Sequence, residues 1–206
     1  ISYYSIKTLI MTKKEELEIL KTKCEKCLAC ELGQTRNNVV FSDGNPDTAK
    51  AILIGEAPGA NEDMTGTPFV GRAGKLLNDF LAQAGIDREK DLYIINTVKC
   101  RPPQNRVPTN TEKEKCVKYL YEQIRIVNPK ILIFCGSTAL QSFYDKKVPI
   151  SKIRGEWLDI DVNGQKYKSM PIFHPSYLLR NHSMEAGKPR VLMLEDLKKI
   201  HDIINS

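Results

Sequence analysis

No run in this 206-residue chain reaches the roughly 18 consecutive apolar residues that a membrane-spanning helix needs. Residues 1–10 are mildly apolar but carry no signal-peptide cleavage pattern. Internal repeats, linkers and low-complexity tracts are also absent. These absences argue against a helical membrane protein and favour a reducing, cytoplasmic setting in which disulfides are disfavoured. They also make one domain the economical organisation. Residues 1–11 are set aside as an amino-terminal extension, with Met11 as a candidate start, and 12–206 is read as a single domain. Histidine is scarce, with three in the chain. The glycine-containing turn at Gly55-Glu56-Ala57-Pro58-Gly59 lacks the Gly-Lys-Ser/Thr ending of a phosphate-binding P-loop.

What is present begins with charge and sulfur. The formal net charge is +6, which suits a nucleic-acid partner but fits a merely basic surface equally well. Six cysteines stand in the chain. Cys27 and Cys30 form a C-x-x-C near its start, overlapping a second one from Cys24 to Cys27, while Cys100 and Cys116 stand near its middle. In a reducing compartment, thiols gathered from distant segments read as metal or cluster ligands. Cys135, inside an apolar run, reads as a small core residue.

Periodicity predicts helices over 12–26 with Thr12 as cap, 71–84, 111–127 with Thr109 or Thr111 as cap, 137–144 and 190–204. Continuous apolar runs at 51–55, 92–95 and 131–136 predict strands buried on both faces, and 171–174 a fourth strand end. Asn163-Gly164 between 157–160 and 167–170 predicts a hairpin. Alternating strands and helices imply a single three-layer α/β domain, with a mainly parallel four-stranded sheet flanked by helices and a small hairpin beside it. Ligands of such folds bind beyond the carboxyl ends of the strands. That edge brings together the 55–59 turn, Asn96 to Cys100, Gly136-Ser137 and His174-Pro175-Ser176.

Four residues there could carry chemistry, each with a plain structural alternative. Glu56 could hold a water or stabilise positive charge, or merely belong to a strand-to-helix turn. Asn96 offers an acceptor and two donors on one amide, which suits a nucleobase edge, or it ends a strand. Phe69 could stack on a planar ligand, although its spacing alone favours the core. His174 precedes Pro175, so its imidazole projects from a stiff loop at the ligand edge, although a lone histidine is usually structural.

These motifs occur in an order that strongly resembles the family 4, iron–sulfur uracil-DNA glycosylases. The resemblance rests on Gly55-Glu56-Ala57-Pro58-Gly59 with Glu62-Asp63, Pro68-Phe69-Val70-Gly71-Arg72-Ala73-Gly74, Asn96 with Lys99-Cys100-Arg101-Pro102-Pro103, and His174-Pro175-Ser176-Tyr177. Cys27 to Cys30, followed by Leu32, Arg36 and Val39-Val40-Phe41, extends it to the amino-terminal segment. The resemblance implies hydrolysis of the uracil N-glycosidic bond in single- or double-stranded DNA, the first step of base excision repair. It implies a 4Fe-4S cluster on Cys27, Cys30, Cys100 and Cys116, with Cys24 a nearby spare. It implies a uracil pocket of Glu56, Ala57, Pro58, Phe69, Asn96 and His174. In that pocket Phe69 stacks, Asn96 reads the O4/N3 edge and His174 donates to O2.

Glu56 is expected to handle the water. Family 1 uracil-DNA glycosylases carry an Asp at the position of Ala57, so Glu62 and Asp63 are held as a fallback pair. Lys99, Arg101, Arg106, Ser176 and Arg180 are expected on DNA phosphates, and Leu178 or Leu179 as a wedge in the gap left by the flipped nucleotide. A subgroup that traps uracil covalently has a histidine-bearing insertion after the Lys99-like position. Residues 101–115 hold no histidine here, so turnover is expected. A monomer is expected, with a sliding clamp as an open partner. Two competing readings are a zinc-stabilised nucleic-acid module, which the fifteen-residue gap between Cys100 and Cys116 disfavours, and a same-fold enzyme for another base.

Overall fold

Thr12 opens the first helix with a capping box. Its hydroxyl accepts from the Glu15 N–H at 3.3 Å, and the Glu15 carboxylate accepts from the Thr12 N–H at 2.7 Å. This computed structural model describes residues 11–206, so the expected extension, Met11 apart, lies outside the described residues. In chain order the elements are α1 (Lys13–Glu25), α2 (Leu32–Thr35), β1 (Ala51–Gly55), α3 (Ala60–Thr65), α4 (Arg72–Gln83), α5 (Arg88–Asp91), β2 (Leu92–Asn96), α6 (Asn110–Val127), β3 (Ile131–Cys135), α7 (Ser137–Gln141), α8 (Ile150–Ile153), β4 (Leu158–Val162), β5 (Gln165–Ile172), α9 (Pro175–Leu178) and α10 (Pro189–Ile204). Among the described residues no helix is long and apolar enough to cross a membrane.

The strands order β2-β1-β3-β5-β4, parallel except for the edge pair β4–β5. Every residue of β1, β2 and β3 is buried because both faces are covered. Leu53, Ile94 and Ile133 face one layer, where Leu77, Phe80 and Leu81 of α4 meet Met193, Leu197 and Ile200 of α10. Ile52, Ile95 and Phe134 face the other, against Leu17 of α1 and Leu120 and Ile124 of α6. The period of two along each strand therefore divides the core into two slabs.

One expectation needs correcting. The sheet has five strands, not four, and the hairpin is part of it. The segments 167–170 and 171–174 read as separate, yet Gln165–Ile172 is one strand. Pro171 caused the misreading, because it cannot donate to a ladder. It is tolerated because pairing with β4 stops at Leu158–Ser169, so nothing on that side needs its missing N–H. The short helices α2, α3, α5, α8 and α9 are single turns without a readable period. The predicted helices at α1, α4, α6 and α10 stand within a residue or two, while α7 ends at Gln141 rather than 144.

Candidate active site and cysteine cradle

Beyond the carboxyl ends of β1 and β2 lies a cavity of about 330 Å³, within the range of small-ligand pockets. Glu56, Ala57, Pro58, Phe69, Asn96 and His174 all line it. Its remaining wall brings Arg106 and Ser176, expected on DNA phosphates, together with Glu62, with Gly74 and Pro102 of the quoted motifs, and with Asn105, which sequence reasoning missed.

Phe69 reaches the cavity by an unusual backbone, with φ at +54°. A bulky residue adopts that conformation only when its neighbours impose it. Here the Pro68 carbonyl accepts from Arg88 at 2.7 Å and the Phe69 carbonyl from the same guanidinium at 3.3 Å, while Arg88 is itself paired with Asp43 at 2.8 Å. Two glycines make room. A Cβ on Gly74 would collide with the Phe69 backbone, and one on Gly55 would stand 2.6 Å from the Phe69 ring and overlap the Asn96 amide. The ring is 7% exposed, so Phe69 serves both the core and the cavity wall.

Glu62 has a different job from the one held in reserve for it. Its carboxylate accepts from the N–H groups of Gly59 (3.1 Å), Val70 (2.9 Å) and Gly71 (2.7 Å). It staples the turn after β1 to the loop that carries Phe69. Asp63 turns away, accepting from Asn37 at 3.0 Å and from the Asn37 amide at 2.5 Å, and does not line the cavity. Glu62 does line the cavity, with its carboxylate committed to these three N–H groups. Among the described residues the Glu56 carboxylate has no hydrogen-bond partner, while its carbonyl accepts from Thr97 at 2.6 Å and fixes the turn to the end of β2.

Asn96 is buried at the foot of the cavity, and among the described residues its side-chain amide is without a hydrogen-bond partner. His174 caps α9 and has Pro175 at the first helical position. The Ser176 N–H donates to its Nδ1 at 3.2 Å, with the Ser176 hydroxyl 2.8 Å from the same atom. An accepting Nδ1 leaves the proton on Nε2. Burial pushes the imidazole down to about 4 against the pull of Glu62, so the ring is neutral at pH 7 and Nε2 is a donor without charge. The His174 and Phe69 ring centroids lie 6.1 Å apart at 37°.

Two expected DNA contacts are corrected. Lys99 is 0% exposed and cannot meet a phosphate; its Nζ donates to the Asn96 carbonyl at 2.8 Å. Leu178 is also 0% exposed, packed in the core cluster on the α4 side, and cannot serve as a wedge from there. Leu179 is half-buried and Tyr177, 41% exposed, stands outward beside it. Arg180 is exposed, Arg101 is half-buried and donates to Asn105 at 2.8 Å, and Arg106 forms a fork on Glu112 at 2.8 and 2.6 Å. Asn105 enters the cavity wall through consecutive left-handed residues, Gln104 and Asn105, at φ +55° and +56°. An asparagine inside a proline-flanked run was the available signal, since Asn tolerates that conformation.

Behind the cavity, on the α6 side, Cys27, Cys30, Cys100 and Cys116 line a second, smaller cavity together with Cys24. Arg36 holds this cradle together. It donates to the carbonyls of Glu25 (2.5 Å) and Cys27 (2.8 Å) and approaches the Cys100 sulfur at 3.3 Å. Burial pushes the Cys24 thiol up to about 12 and the Cys116 thiol to about 11. Cys135 lies far off in the α4/α10 slab, a core residue as expected.

The family model described as Uracil DNA glycosylase superfamily matches residues 41–198. The chain is 50% identical to the type-4 uracil-DNA glycosylase of Thermotoga maritima over 94% of its own length and 97% of the relative's. It is 40% identical to the type-4 uracil-DNA glycosylase of Archaeoglobus fulgidus, covering 80% and 84% of the two chains, and 36% identical to that of Saccharolobus solfataricus, covering 93% and 88%. With the family model matched over residues 41–198 and these relatives matched over 84% to 97% of their length, the chain belongs to the uracil DNA glycosylase superfamily, among its type-4 members.

Proposed function

We infer that the protein is a uracil-DNA glycosylase that hydrolyses the N-glycosidic bond of uracil in DNA. One observation carries the reading of the site: a single cavity holds an unpartnered amide, an aromatic ring and a neutral histidine donor. Reaching the bond requires the nucleotide to be flipped from the stack. Phe69 stacks on the base. The Asn96 amide pairs with its O4/N3 edge, and cytosine presents a donor where uracil accepts, a buried mismatch costing about 1–3 kcal/mol. As the C1′–N1 bond breaks, its electron pair leaves on the base. The His174 Nε2–H, held toward O2 by Ser176, stabilises that growing negative charge and keeps its proton. Such a preorganised donor is worth about 3–4 kcal/mol. A water oxygen bonds C1′ and gives up its proton toward Glu56, whose carboxylate is the free one at this edge. The uracil anion departs, leaving an abasic site.

Arg101, Arg106, Ser176 and Arg180 remain the proposed phosphate contacts, with Leu179 or Tyr177 taking the wedge role that Leu178 cannot fill. A monomer is the proposed working unit, folded as one domain.

Cys27, Cys30, Cys100 and Cys116 would hold the 4Fe-4S cluster that the family resemblance implies. The donor set fits, being all thiol with no carboxylate or imidazole on the wall. Among the described residues no three His, Cys, Asp or Glu side chains are grouped closely enough to hold a single metal ion. When bound, the cluster supplies a cross-link between the amino-terminal segment and the two ends of the 101–115 loop.

The test is release of free base from single-lesion oligonucleotides by the purified protein. Uracil should be released fastest, and faster release of thymine or hypoxanthine would overturn the assignment.

A further inference from the structure

Lys99 is the largest side chain in the interior that carries a charged group, and it is fully buried. A buried ammonium is costly unless an anion compensates it. Among the described residues no carboxylate pairs with it. Its single hydrogen bond among the described residues runs to a backbone carbonyl, that of Asn96, at 2.8 Å. Lys99 instead lines the same cradle as Cys24, Cys100 and Cys116, whose wall also carries Arg36 and Lys115. Arg36 stands against the same cradle with its guanidinium 3.3 Å from the Cys100 sulfur. Neutral thiols would leave the ammonium without a counter-charge. Four thiolates around an iron–sulfur core leave the site net negative and supply one.

We propose that Lys99 is the counter-ion of the cysteine cradle and, through its bond to the Asn96 carbonyl, the strut that ties the loaded cradle to the uracil-reading amide. The hydrogen bond spans three residues, from a side chain at the cradle back to the strand end that presents the amide. Lys99 is thus a positioning residue: it acts on the base through Asn96 and touches no part of the DNA. The proposal rests on the reading that the four cysteines hold a cluster.

Lys99→Met, which keeps length and removes charge, separates this role from a packing role. In the iron-loaded protein it should speed cluster loss to a chelator at least tenfold, followed by absorbance near 400 nm, and shift the reduction potential to more negative values. Inhibition by free uracil should weaken several-fold, with KM rising more than kcat falls. Lys99→Arg should restore most of the potential. In metal-free protein the sign reverses, and Lys99→Met should be at least as stable as the wild type, because an uncompensated charge is gone. A Lys99→Met protein with wild-type cluster release and potential would overturn the counter-ion role, as would one that fails to fold even without metal. Unchanged uracil inhibition would overturn the link to Asn96. Iron-free wild-type protein that keeps stoichiometric zinc would instead end the cluster reading itself.

Discussion

A histidine whose Nδ1 accepts a backbone N–H cannot be protonated there without losing that bond, and His174 is built this way. Its pKa is depressed in the folded protein to about 4, below the 6.5 of the free imidazole. Between those values the unfolded chain binds more protons than the folded one. The stability His174 contributes is therefore complete above about pH 6.5 and lost as pH falls toward 4. Urea midpoints measured across that window should fall with pH, and His174→Gln should flatten this part of the slope. At neutral pH, His174→Ala should lower the single-turnover rate by on the order of 10²- to 10³-fold with little loss of DNA affinity. Gly55 makes a second residue-scale case. Gly55→Ala places a methyl group against both the Phe69 ring and the Asn96 amide. Uracil release should be lost while far-UV circular dichroism stays that of the wild type.

At the scale of elements, the cavity depends on loops held by carboxylates rather than on long helices. Glu62 binds three N–H groups from two segments, so Glu62→Ala strands them together. The expected cost is roughly 2–4 kcal/mol in urea unfolding, with uracil release lowered because the Phe69 loop is no longer tied to the β1 turn. Much of this scale was legible in the sequence. The continuous apolar runs of β1, β2 and β3, the Thr12 cap and a cap at Thr109 or Thr111 marked the sheet and the long helices, with Thr109 the one used, and the motif residues fell at the strand ends where a parallel fold puts ligands. Contacts that depend on direction were not legible. Lys99 reads as a basic surface residue, and only the fold turns it inward. Leu178 follows a motif serine yet points into the core. Glu62 and Asp63 are adjacent acids whose partners, Gly71 and Asn37, lie on opposite sides of them. Pro171 broke a strand on paper because the end of its neighbour at Leu158 could not be foreseen.

At the scale of the whole molecule, the cradle joins the amino-terminal segment to α6 and to the loop that forms part of the cavity wall. Cys30→Ala should yield protein with little iron and a lower melting temperature, whereas Cys24→Ala should keep both iron and colour; equal iron in the two variants would show that Cys24 serves as a ligand. The same connection carries a consequence for how the chain is made. Cys27 and Cys30 leave the ribosome about seventy residues before Cys100. At roughly 5–20 residues per second they wait several seconds for their partners. During that interval β2, β3 and α6 do not yet exist to enclose them. If the four cysteines hold the proposed cluster, iron delivery follows synthesis of the 101–115 loop, and the nascent chain depends on its surroundings to keep those first thiols from oxidation.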